Sequence, residues 1–248
     1  MSRNARQLSS TGIYHVMLRG INKERIFHDR NDYRHFLNIL QDCKELVPVT
    51  ILAYCLMPNH IHLLIKTEDG SLSSAMKRIG IRYAAWFNAK YHRVGHLFQD
   101  RFRSEPVETD QYFKTVVRYI LQNPIKAGLE PVIGAYPWSS YQDCVWGDST
   151  IVGVQELMDV FDGCDAFKTF IHVPNDDTLM DVPEYQTEDA CIEDLSIQEA
   201  DDDANPPAAT ESFSRDTLLK MHNHGLSLRQ IQAVTGLSKS TIHRAIRL

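Results

Sequence analysis

The hydrophobic periodicity of this chain predicts an α+β fold, a ferredoxin-like split βαβ sandwich with one added helix, followed by a small all-α C-terminal module. Short stretches rich in β-branched and aliphatic residues alternate with amphipathic stretches of helical period in the order β-α-β-β-α-β, and a further helical stretch follows. That order leaves one sheet face free of the two crossover helices.

"GIYHVMLRG" (12–20) is the first strand, with a glycine at each end, and "NDYRHFLNILQDCKEL" (31–46) is the first amphipathic helix. "VTILAYCL" (49–56) and the strand at 60–67 form a hairpin around the Pro-Asn turn of "MPNH". "SLSSAMKRIGIRYAAWFNAKYH" (71–92) is the second helix, with Ser71 or Ser73 as its N-cap. A short strand at 103–108 precedes "DQYFKTVVRYILQN" (110–123), which Asp110 can cap and Pro124 should end.

The strand at 60–67 carries the first chemical signal. Side chains alternate across a strand, so His60, His62 and Leu64 share one face while Ile61, Leu63 and Ile65 take the core face. Two imidazoles at i, i+2 offer a two-point grip on a divalent metal, or they are simply half-exposed sheet histidines. A second such pair, His222 and His224, falls in "KMHNHGLS", which reads as a helix end and turn and so serves as an internal control. On the last helix of the module, Tyr119 and Asn123 are i, i+4 and lie on one stripe beside an apolar stripe of Phe113, Val117 and Ile120. If that stripe meets the histidine face, a phenol and an amide oxygen approach the same metal; otherwise the pair is a buried tyrosine and a capping asparagine.

The chain has 248 residues with a net charge of −6 that conceals three unlike segments. Residues 1–146 hold 19 Lys and Arg against 13 Asp and Glu, a balance of +6; residues 147–211 hold 1 against 18, or −17; residues 212–248 hold 6 against 1, or +5. The expectation is a basic domain (1–146), an acidic and partly disordered connector (147–211), and a basic C-terminal module (212–248). Basic modules suit a polyanion, although a solvated surface gives the same count. The N-terminus lacks an apolar signal region, no stretch is long and apolar enough for a membrane span, and five scattered cysteines lack a C-x-x-C pair. A reducing, cytoplasmic setting is expected.

In this order "YHVMLRGINKERIF", "MPNHIHLLI" and "RYILQNPIKAGL" resemble the REP-associated single-tyrosine transposases of the HUH superfamily, over roughly residues 10–145. The resemblance implies a ferredoxin-like nuclease in which His60 and His62 match the two HUH histidines, Tyr119 the nucleophile and Asn123 the third metal contact. Relatives often carry Gln at that last position; Gln122 is adjacent, but about 100° off the stripe. The implied activity is metal-dependent cleavage and rejoining of single-stranded DNA at hairpin-forming palindromic repeats through a 5′-phosphotyrosine, with Mg²⁺ or Mn²⁺ as cofactor. A bacterial, nucleoid-associated location follows from it, and the choice between monomer and homodimer stays open.

Arg19, Lys77, Arg78, Arg82, Arg93, Arg101 and Arg103 are the candidates for gripping DNA in this domain. Tyr83, Phe87 and Tyr91, at i, i+4 and i+8, read better as a core stripe than as a base-stacking shelf. "RVGHLFQDRFRSE" (93–105) is a polar, glycine-containing loop of the kind that contacts ligands. "SLRQIQAVTGLSKSTIHRAIR" (227–247) resembles a helix-turn-helix in which Ser238 caps the second helix, placing Lys239, Ser240, Thr241, His243 and Arg244 at a major groove. The rival to the enzyme is a non-catalytic DNA-binding regulator built from the same two modules.

Overall fold

Strand β1 (Ile13–Arg19) buries five consecutive residues, as a strand covered on both faces must. The sheet forms around it in the computed structural model, which describes residues 7–68, 70–174, 177, 179–180, 237–238 and 241–244. The described elements run β1, α1 (Arg30–Leu46), β2 (Val49–Met57), β3 (His60–Thr67), α2 (Leu72–Lys90), β4 (Arg103–Pro106), α3 (Asp110–Lys126), α4 (Tyr141–Trp146), α5 (Val154–Phe161) and α6 (Cys164–Ile171). The strands form one antiparallel sheet in the order β2-β3-β1-β4, with α1 linking β1 to β2 and α2 linking β3 to β4. The chain divides into a first unit, residues 1–180, and a second, residues 181–248.

Register sorts the side chains onto two faces. Val16, Leu18, Ile61, Leu63 and Ile65 point one way and are fully or almost fully buried. The apolar stripes of α1 (Phe36, Ile39, Leu40) and α2 (Ala75, Met76, Ile79, Tyr83) supply that burial, and Tyr83 meets Phe36 edge to face at 5.0 Å. Asp29 caps α1 through a capping box with Asp32, and buried Asp32 accepts from Lys90 Nζ (2.6 Å) and the Tyr91 hydroxyl (2.8 Å), tying the start of α1 to the end of α2. Tyr83 and Phe87 are fully buried, as a core stripe requires.

Several sequence expectations shift. Ser71 holds the N-cap position of α2, but its hydroxyl donates to Glu68 O and Pro48 O instead of capping. Thr109, not Asp110, caps α3 by accepting from Tyr112 N–H. Pro124 does not end α3, which runs to Lys126 and closes with Ala127 N–H on Asn123 O; the proline costs one ladder bond and crowds the carbonyl one turn back.

Part of the expected acidic, partly disordered connector at 147–211 lies within the described residues. Its first part is folded: α5 and α6 bury Leu157, Phe161, Phe167 and Ile171, and Phe161 packs against Phe113 of α3. These residues stand in i, i+4 pairs that a charge count averages away. The preceding chain shields the open edge of β2, with Trp138 O accepting from Leu56 N–H, Ser140 Oγ from Tyr54 N–H, and Ile51 O from Gly153 N–H.

In the second unit, residues 241–244 are helical and Ser238 Oγ accepts from Thr241 N–H at 3.1 Å. Lys239 and Ser240 lie outside the described residues, as does most of the expected helix-turn-helix.

Candidate active site

Antiparallel register lines up two rows of side chains on the face away from α1 and α2. One row is Cys55, His62, Met17 and Arg103; the next is Met57, His60 and Arg19. His15, one step further along β1, completes the group. The two histidines of "NHIH" therefore stand on one face, with their rings 5.0 Å apart and perpendicular. Arg19 stands directly across from His60, and its buried Nε has no hydrogen-bond partner.

Each imidazole is held through Nδ1. His60 Nδ1 meets Asn59 Oδ1 at 2.7 Å, and His62 Nδ1 meets His15 Nε2 at 3.0 Å. His62 Nε2 is buried and has no hydrogen-bond partner. Burial holds the rings neutral: it pushes His15 down to about 3 and His62 well below the usual imidazole value, with His60, His15 and Arg19 adding to the effect at His62. A neutral, buried imidazole with an unpartnered nitrogen is the form in which histidine binds a metal, so the group fits one.

Helix α3 closes this face. The Tyr119 ring stands edge-on to His62 at 5.4 Å and to His15 at 5.7 Å. Asn123 is the buried amide one turn further on. Gln122, by contrast, is committed elsewhere: its Nε2 donates to Ile171 O (2.6 Å) and Val173 O (3.0 Å) at the end of α6. Lys126 Nζ lies 5.2 Å from the Tyr119 ring centre and donates to Asp177 O, while Arg118 pairs with the Asp177 carboxylate at 3.0 Å. Among the described residues no group of three or more His, Cys, Asp and Glu could hold a metal; Asn123 carries a carboxamide, whose oxygen is a donor of another type. His15, His62 and Tyr119 are each fully buried; a phosphate can reach them only after local opening.

Residues 9–123 match the family described as Transposase IS200 like. This region is similar to the IS200-like transposases, a family of enzymes. A Haemophilus influenzae protein carrying the name REP-associated tyrosine transposase is 27% identical over 155 residues, covering 57% of this chain and 86% of the relative. A solved structure of a REP-associated tyrosine transposase bound to a REP hairpin shares the fold, with a TM-score of 0.51 at 20% identity over 61% of this chain and 90% of the other.

The first unit brings His60, His62 and Tyr119 together, with Asn123 one turn beyond Tyr119 on α3, Arg19 and Arg103 on the same sheet face and exposed Arg101 just before β4. Arg93 pairs with Glu24 at 3.0 Å. Lys77, Arg78 and Arg82 stand on the exposed side of α2, which packs on α1 and not on the histidine face, and Arg82 pairs there with Asp42. Thr241, His243 and Arg244 belong to the second unit. Sequence reasoning passed over His15 and Asn59. His15 shared an alternating face with Arg19 and could have been found by extending the period-two reading to β1; Asn59 gave no signal beyond a common turn residue. The four described cysteines are free thiols, and among the described residues no helix is long and apolar enough to cross a membrane.

Proposed function

We propose that the chain is a single-strand DNA endonuclease and transesterase acting at hairpin-forming palindromic repeats, built on a ferredoxin-like split βαβ domain with α3 as its catalytic helix. The observation that carries this reading is the Tyr119 phenol packed against the His15–His62 pair, beside a buried imidazole nitrogen that has no partner. A non-catalytic regulator would have no use for that arrangement. His60, His62 and Asn123 would hold a divalent ion, Mg²⁺ or Mn²⁺; two imidazole donors would favour Mn²⁺ over Mg²⁺. When bound, the ion polarises the scissile phosphate and orients it for in-line attack.

Tyr119 Oη attacks phosphorus, the bond to the 3′ oxygen breaks, and that oxygen leaves as a 3′-OH. The product is a 5′-phosphotyrosyl strand, which conserves the phosphodiester bond for transfer to another 3′-OH. Arg19, Arg101 and Arg103 contact the strand at the site, while Arg93, Lys77, Arg78 and Arg82 meet phosphates further out. The C-terminal unit acts as a helix-turn-helix whose Lys239, Ser240, Thr241, His243 and Arg244 reach the major groove of duplex DNA. The protein works in the bacterial cytoplasm at the nucleoid.

Labelled hairpin-flanked single strand with Mn²⁺ should give a covalent adduct on a denaturing gel. Tyr119→Phe should abolish the adduct while leaving hairpin binding within about threefold, because it removes the attacking oxygen and little else. Cleavage by the Phe variant at a rate near wild type would refute the assignment.

A further inference from the structure

We infer that Asn59 is a positioning residue that fixes the tautomer of His60, an inference that rests on the metal reading above. Asn59 sits in the two-residue turn between β2 and β3, where a turn alone asks only for a residue that tolerates the bend. Here it is anchored on three sides. Its carbonyl accepts from Gly20 N–H (2.9 Å), its Nδ2 donates to Lys23 O (3.2 Å), and its Oδ1 meets His60 Nδ1 (2.7 Å).

The Lys23 contact determines which way the amide faces. Turned over, the side chain would set its own oxygen against the Lys23 carbonyl and its NH₂ against the imidazole, replacing an attraction with a repulsion. With the amide so oriented, Oδ1 can only accept. His60 must then carry its proton on Nδ1, and Nε2 keeps the lone pair that a metal takes.

The Lys23 carbonyl is itself held in place. Asn22 and Lys23 both adopt left-handed backbone (φ 51° and 61°), a conformation side chains rarely take, inside a turn closed by Lys23 N–H to Gly20 O and Glu24 N–H to Ile21 O. Gly20 has to be glycine, because a Cβ there would collide with Glu24 O and Ile26. Pro58 O, on the other side of the turn, accepts from Ile26 N–H (2.8 Å) and Phe27 N–H (3.2 Å). The segment 20–27 is thus a brace that grips the tip of the β2–β3 hairpin, and Asn59 connects it to the imidazole. His62 Nδ1 makes its corresponding contact within the sheet, with His15 Nε2.

The test uses the full chain, ¹⁵N-labelled at histidine and stripped of metal with EDTA. Nitrogen–proton correlation spectra at about pH 8, where solvated imidazoles are neutral, report each ring's tautomer. Wild-type His60 should show a proton on Nδ1. Asn59→Leu should move His60 toward the Nε2–H form and weaken Mn²⁺ binding by roughly 10-fold or more in a paramagnetic titration. Asn59→Asp, which keeps an acceptor, should retain the Nδ1–H signature.

His60 unchanged in Asn59→Leu would overturn the inference, and so would an Nε2–H signature in Asn59→Asp. Should the Leu variant fail to fold, the Asp variant decides alone. His60→Ala separates this inference from the reading beneath it. If that change leaves Mn²⁺ affinity intact, the metal reading fails, while the metal-free tautomer spectra still judge Asn59.

Discussion

Burial holds the imidazoles of His15 and His62 neutral in the folded chain. The sign of the resulting pH dependence follows from the direction of the shift. His15 is pushed from an ordinary 6.5 down to about 3 in the folded chain. The unfolded chain therefore binds the proton first as pH falls, so the stability this residue confers is complete above 6.5 and is lost progressively between 6.5 and about 3. In EDTA, the melting temperature should fall between about pH 7 and pH 5, and the fall should be shallower in His15→Gln. Thermal scans of both proteins across that range test it, and equal slopes would refute it. Removing a ligand has a different signature: His60→Ala and His62→Ala should each lower Mn²⁺ affinity and adduct formation by roughly 10–100-fold. His222→Ala and His224→Ala should behave as wild type, since the sequence around that pair reads as a helix end and turn. If the two pairs respond alike, the metal reading is wrong.

Single elements respond to contacts that spacing alone does not reveal. Gly20→Ala is the sharpest case, because the added methyl meets the Glu24 carbonyl and the Ile26 side chain, both fixed by the brace around the hairpin turn. It should destabilise the first unit by about 1–3 kcal/mol, readable as a lower denaturation midpoint at unchanged slope. The same contrast explains what was legible in the sequence. The strands β1 to β3 and the helices α1 to α3 each show a dominant period, so their order could be read, and the β3 register placed His60 and His62 correctly on one face. Placing Tyr119 beside them needed an assumption that α3 lies on that face, which periodicity cannot supply. α5 and α6 were hidden by their acidic surroundings, although Leu157 with Phe161 and Phe167 with Ile171 keep helical spacing. His15 was overlooked because the period-two reading was applied to β3 alone, and only the pairing of β1 with β3 sets His15 beside His62. The reach of Asn59 to Lys23 is a tertiary contact with no period at all.

At the scale of the whole chain, where it can be cut depends on what covers α3. Residues 147–174 bury four large side chains, Leu157, Phe161, Phe167 and Ile171, and their last turn takes two hydrogen bonds from Gln122. At about 1.5–3 kcal/mol each, those side chains amount to roughly 6–12 kcal/mol as an upper bound, comparable to the full stability of a domain, so a chain ending at 146 should not fold. A chain ending at 180 should. The informative cuts are therefore at 180 and 211. Residues 181–211 carry 11 acidic and no basic residues, whereas 212–248 carry 6 basic and 1 acidic. If the acidic stretch competes with DNA for the basic face of the first unit, the chain ending at 180 should bind nonspecific single strands more tightly than the chain ending at 211, and the difference should shrink as salt rises. If the last segment contacts DNA, restoring it should steepen the logarithmic salt dependence of binding by at most about 4 on a single strand, the value for six neutralised phosphates. Fluorescence anisotropy of the three lengths against salt, with a hairpin and with an unstructured strand, separates the two effects. Adduct formation should be retained in all three, because Tyr119, His60, His62 and Asn123 precede every cut. Equal affinities and equal salt slopes would dismiss both the masking by the acidic stretch and the DNA contact by the tail.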